Sequence, residues 1–95
     1  MSDVYAMQRA NGDCFVFAEN GRLRVPLFHS IHDAMMARLR NLEMMLFQPV
    51  MLDDRLLKEI APTENGNKVD LCMISDPFTS LSRGSLVKRA DLFAD

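Results

Sequence analysis

The chain has 95 residues, 48% of them apolar and 25% charged. That suffices for one core burying roughly 65% of the unfolded surface, and it excludes a disordered chain. A net charge of −2 and a pI near 5.6 give no overall field to draw in nucleic acid or an acidic membrane.

Residues 1–95 read as a single domain. No apolar run approaches the roughly 20 residues that cross a bilayer. The longest, Leu42 to Leu52, is broken by Glu43, Gln48 and Pro49. The start, Met1-Ser2-Asp3-Val4, lacks the basic and apolar regions of a secretory signal. Cys14 and Cys72 form no CxxC pair and sit in apolar, strand-like surroundings. Reduced, buried thiols and a cytoplasmic location are the expectation, with a Cys14–Cys72 bridge as the lesser alternative.

The first quarter reads as a strand meander: Tyr5 to Arg9, Cys14 to Ala18, and Arg22 to Phe28. Asn11-Gly12 and Asn20-Gly21 lie between these runs, and Asn-Gly favours the positive φ angles of tight hairpins. Phe15 and Phe17 share one face, with Cys14, Val16 and Ala18 opposite, which predicts a central middle strand. Pro26 has no N–H to donate, so the third strand is expected at an edge, or its pairing to end there.

Ser30 is the natural N-cap of the next helix, with Asp33 three positions on as in a capping box. Ile31, Ala34, Met35, Leu39 and Leu42 fall at helical spacing, predicting a helix over 31–40 that buries this stripe. Arg38 and Arg40 suit the negative end of its dipole. Ser30→Ala is expected to cost on the order of 1 kcal/mol through the lost cap, and Met35→Asp several through a buried charge; chemical denaturation measures both.

Met44 to Leu52 is a strand candidate in which Pro49 implies an edge or a bulge. Asp53 caps a short helix near 54–61 that Pro62 stops. Lys68 to Ile74 is a further strand, Ser75 to Arg83 a loop, and Gly84 to Val87 a brief strand before a helical turn near 88–93. The fold class is therefore α+β: an antiparallel sheet of four or five strands with the 31–40 helix packed on a face.

The junction Val25-Pro26-Leu27-Phe28-x-Ser30 leading to Ala34, a short helix capped by Asp53, and the late Gly84-x-x-Val87 resemble a family of small bacterial α+β domains of uncharacterised function. The junction is also distantly similar to the N-terminal domain of the enhanced-serine-sensitivity family. The resemblance spans about residues 13 to 93 and implies an α+β fold and a bacterial origin. It implies no catalytic residue.

His29, His32 and Asp33 are the nearest thing to a metal or ligand set, yet residues flanking a cap point in different directions, and zinc normally takes three or four converging ligands. Exposed histidines at a helix start are the simpler explanation, and no cofactor is expected. Asp53-Asp54 is explained by capping and the helix dipole. Arg22, Arg24, Arg38, Arg40, Arg83, Lys88 and Arg89, with Tyr5 and Phe78 for stacking, would have to assemble a nucleic-acid face, diluted by 13 acidic residues. Eight methionines serve plastic core packing or an adaptable apolar surface. Met36, Arg38, Arg40 and Pro49 are the candidate contact residues. The leading expectation is a non-enzymatic protein-interaction or regulatory module, with a protein partner or a second copy of itself. A small ligand-binding protein or enzyme using His29, His32 and Asp33 comes second, and nucleic-acid binding third.

Overall fold

The computed structural model describes residues 3–63, 66–76 and 81–92. Six strands and two α-helices follow in the order β1 (Tyr5–Gln8), β2 (Phe17–Glu19), β3 (Arg22–Phe28), α1 (Ile31–Arg40), β4 (Gln48–Met51), α2 (Asp54–Ile60), β5 (Val69–Ile74) and β6 (Ser85–Val87). Single 3-10 turns occupy Leu42–Met44, Leu81–Arg83 and Arg89–Leu92. The expected turn near 88–93 is the last of these, though Phe93 lies outside the described residues.

The fold class is α+β, but the sheet is mixed rather than antiparallel. Its strands run β4-β1-β3-β5-β6, with β2 also on β3. β3 and β5 are parallel, paired from Leu23–Val69 to Phe28–Ile74, while the remaining pairs are antiparallel. Parallel neighbours need a long crossover, and the path through α1, β4 and α2 supplies it. Local hairpin signals carry no trace of that long-range pairing.

Two further expectations are corrected. The second strand is not central: β2 holds only three residues against Arg22–Arg24, and Cys14 joins the sheet through a lone bridge to Gln8. The third strand is the centre instead, despite Pro26. On the β1/β2 side of β3, β2 pairs as far as Arg24 and β1 pairs at Phe28. Pro26 falls in the gap between the two, where a missing N–H costs no ladder bond. Pro49 does lie on an outer strand, since β4 ends the sheet.

Asn20 (φ 53°) and Gly21 (φ 77°) both have positive φ, the signature of a type I′ turn joining Glu19 to its pair Arg22. The cap is as expected: Ser30 Oγ accepts from the Asp33 N–H at 3.0 Å. Asp53 likewise accepts from the Leu56 N–H at 2.8 Å to open α2.

Both faces of the sheet are covered along its inner stretch. Alternate residues of β3 and β5 divide between two clusters, as strand geometry requires. Val25, Leu27 and Leu71 join Leu56, Leu57 and Ala61 beneath α2. Phe28, Cys72 and Ile74 join Met7, Phe15 and Met44 beneath Ala34 and Ala37 of α1. Cys14 packs at the margin of the first cluster and Cys72 inside the second, and both thiols are free.

Gly84 shows how closely β6 approaches β5. A Cβ there would lie 2.6 Å from Cys72 Sγ, 2.7 Å from Ile74 Cδ1 and 2.9 Å from the Met73 carbonyl oxygen. Because one of these is backbone, rotamer changes alone cannot relieve the contact. Gly84→Ala should therefore cost about 2 kcal/mol by overpacking, read as a lower urea midpoint at unchanged slope; an unchanged midpoint would refute the close approach.

Candidate interaction surface

The outward side of α1 is where the structure departs most from its sequence pattern. The residues expected to share a buried stripe separate into two. Ala34 and Ala37 are fully buried against the sheet, whereas Ile31 is 52% exposed and Leu39 74%. At 100° per residue, Ile31, Met35 and Leu39 lie roughly 120° around the helix from Ala34 and Ala37. The small side chains let the helix backbone approach a sheet surface already filled by Met7, Phe28 and Ile74. A bulky leucine at that interface would hold the helix away. Met35 is only half-buried, so Met35→Asp loses the large cost expected of it.

The chain after α1 carries further exposed apolar side chains. Leu42 is 80% exposed, Met45 59% and Leu46 75%. Hydrogen bonds hold this segment: the Asn41 side-chain Nδ2 donates to the Ala37 carbonyl at 2.8 Å, and the backbone N–H groups of Met44, Met45 and Phe47 donate to the carbonyls of Asn41, Leu42 and Met44. Arg38 joins the two halves. Its Nη2 donates to the Met45 carbonyl at 3.0 Å, and its Nη1 lies 3.9 Å from Met35 Sδ. The buried Met44 anchors this segment to the core. The result is a pinned apolar surface, built on a helix and a hydrogen-bonded turn.

Of the contact residues expected from sequence, Arg38 lies inside this surface, Met36 is half-buried on α1, Arg40 is exposed at its end, and Pro49 is half-buried on β4 opposite Met7. Ile31, Leu39 and Leu42 belong by spacing to the expected buried stripe and Met45 and Leu46 to the expected 44–52 strand, yet all five are exposed. One signal pointed to them: Ala34 and Ala37 form a second stripe of small residues, which favours close helix–sheet contact.

His29 and His32 are exposed and Asp33 is half-buried, its N–H engaged by Ser30. Among the described residues no group of three or more His, Cys, Asp or Glu side chains lies close enough to hold a metal ion. Of the basic residues, Arg22 is bound to Asp70 at 2.9 Å and Arg38 to the Met45 carbonyl. Phe78 lies outside the described residues. No described helix is long and apolar enough to cross a membrane.

A second feature is an open cavity of about 890 Å³ between the Cys14–Val16 segment, the end of α2 and the start of β5. Val16, Val25, Phe47, Ile60 and Val69 form much of its wall. Arg9 lies at its margin, ion-paired to Asp13 at 3.0 Å and 5.7 Å from the Phe47 ring centre. Burial, with lesser contributions from Glu59 and Asp13, pushes the Cys14 thiol up to about 11. Burial raises Cys72 as well, partly offset by Arg24. Since only the thiolate is nucleophilic, folded Cys14 should react with a disulfide reagent slowly at pH 8, and faster by about tenfold per pH unit up to about 11. Labelling at pH 8 as rapid as in denaturant would contradict this placement.

Comparison with protein-family models, curated proteins and solved structures finds no match to this chain.

Proposed function

We propose that this protein is a non-enzymatic interaction module of the bacterial cytoplasm whose docking face is the outer side of α1 and the turn after it. One observation carries the reading: Ile31, Leu39, Leu42, Met45 and Leu46, all on α1 or the turn that follows it, stand more than half exposed. Isolated exposed leucines are ordinary, but a contiguous apolar patch beyond a few hundred Å² marks an interaction site. The two protonated thiols speak against nucleophilic sulfur chemistry and fit a reducing compartment. Affinity capture from native lysate compares wild type with the Leu39→Glu/Leu42→Glu variant as bait. Species held by the first and lost by the second support the reading. Identical capture, this chain itself included, would sink it.

The cavity beside Cys14 favours a second reading, the binding of a small apolar molecule, since its volume and apolar walls fall in the range of ligand sites. That reading expects saturable binding of an apolar fluorescent probe that Val16→Arg abolishes and Leu39→Glu/Leu42→Glu leaves intact. The reverse pattern would assign the probe to α1.

A further inference from the structure

We infer that the cavity beside Cys14 takes a hydrophobic amine, its apolar body laid against Val16, Phe47, Ile60 and Val69 and its ammonium held at Glu59. The inference rests on the ligand-cavity reading above and adds the chemical class of the ligand. The wall of the cavity argues for the body, and the charges on that wall argue for the head.

The floor of the cavity is continuous with the core. Val25, 1% exposed, belongs to the cluster beneath α2, and Cys14, Ile60 and Val69 pack against that cluster. All four line the cavity. Phe15 and Phe47 meet edge to face in the wall, with ring centres 5.3 Å apart at 87°, so their own contact fixes its aromatic part. An apolar body seated here extends the core packing, and the gain rises with the apolar area taken from water. The volume, about 890 Å³, lies within the roughly 300–1,000 Å³ of small-molecule sites.

Most polar side chains on the wall are engaged with one another. Arg9 donates to Asp13 Oδ2 at 3.0 Å and to Asn11 Oδ1 at 3.2 Å, and Asn11 donates to the same Asp13 oxygen at 3.1 Å. The charges of that network cancel. Thr63 Oγ1 donates to Asn67 Oδ1 at 2.9 Å, and Asn67 Nδ2 donates to the Thr63 carbonyl at 2.6 Å. Glu59 and Lys68 supply the remaining charges of the wall, and they act at different places. Glu59 lies in the last turn of α2. After burial, its carboxylate is the largest influence raising the Cys14 thiol, ahead of Asp13. Lys68 precedes β5, on the far side of β3 from β2 and the Cys14 segment that leads into it. With the thiol protonated at neutral pH, the Cys14 end of the cavity is negative in partly desolvated surroundings, where charge is screened least. The Lys68 side chain is exposed, and an ammonium there is strongly hydrated. A cationic head is therefore favoured over an anionic one, and its place is at Glu59. Because Glu59 is exposed as well, the ion pair sets selectivity while the apolar body supplies most of the affinity.

Fluorescence anisotropy with pyrenemethylamine, pyrenemethanol and pyreneacetic acid, which share a ring system and differ in head group, reads the result at neutral pH and low salt. The amine should bind about fivefold more tightly than the alcohol, the upper range of an exposed ion pair, and the acid more weakly than the alcohol. Glu59→Gln, an isosteric change at an exposed position, should bring the amine down to the alcohol's affinity with the melting temperature unchanged. High salt should do the same. Val16→Arg should remove the neutral alcohol as well as the amine, which distinguishes a filled cavity from repulsion of a cation. An acid that binds best, or an amine preference that survives Glu59→Gln, overturns the inference. Equal affinity for all three probes, lost in Val16→Arg, also overturns the amine but keeps the ligand cavity. Probes that fail to saturate, or that bind regardless of Val16→Arg, remove the cavity reading and the inference with it.

Discussion

Replacing Phe28 with alanine is expected to lower the free energy of unfolding by about 3–5 kcal/mol, a large share of the roughly 5–15 kcal/mol that holds a small domain folded. Phe28 is the last residue of β3, with no exposed surface. It is paired on one side to Tyr5 and on the other to Ile74, so three strands converge on its backbone. Its ring lies in the cluster that α1 closes with Ala34 and Ala37. Two residues later Ser30 caps that helix. A cavity at Phe28 therefore loosens the sheet at its centre and the seating of α1 together. The far end of the same strand is the control. Leu23 is 45% exposed, and Leu23→Ala should cost about 1 kcal/mol or less. In urea the Phe28→Ala midpoint should fall steeply while that of Leu23→Ala barely moves. Equal, small shifts would mean that the α1 cluster is not the core.

The elements written in local chemistry were legible. Asn20-Gly21, Ser30 and Asp53 mark a type I′ turn and two helix starts by mechanisms that act within four residues, and each is observed. β3 and β5 begin and end within a residue of their apolar runs. What was not legible is long-range. Nothing in Arg22 to Phe28 states that its neighbour is the parallel β5, because a two-residue alternation reads the same in either direction. Pro26 pointed to an edge because the break between β1 and β2 that shelters it is created by two other segments. The same limit decided α1. Five apolar residues at helical spacing match a buried face, but periodicity counts side chains without weighing how closely a sheet must be approached. Two alanines fulfilled that demand and left the larger residues outside. The residues that carry the proposed function were thus visible as a pattern and misassigned in direction. The histidines, the most conspicuous chemical groups in the chain, are exposed at the helix start.

That assignment of direction is decided by one pair of variants two residues apart. Ala37→Asp is expected to destabilise by at least about 4 kcal/mol. Ala37 has no exposed surface, and the side chains of its cluster, Met7, Phe15, Phe28, Met44, Cys72, Ile74 and Leu81, are all apolar. A carboxylate there is either charged without a partner or protonated with its hydroxyl unsatisfied, and its added bulk presses on side chains packed for a methyl group. Leu39→Asp removes a larger apolar group, yet should cost only about 1 kcal/mol, from lower helix propensity and an anion near the negative end of the dipole. If α1 buried the stripe containing Leu39, the order would reverse. The two outcomes together separate the face of α1 that holds the fold together from the face left outside it.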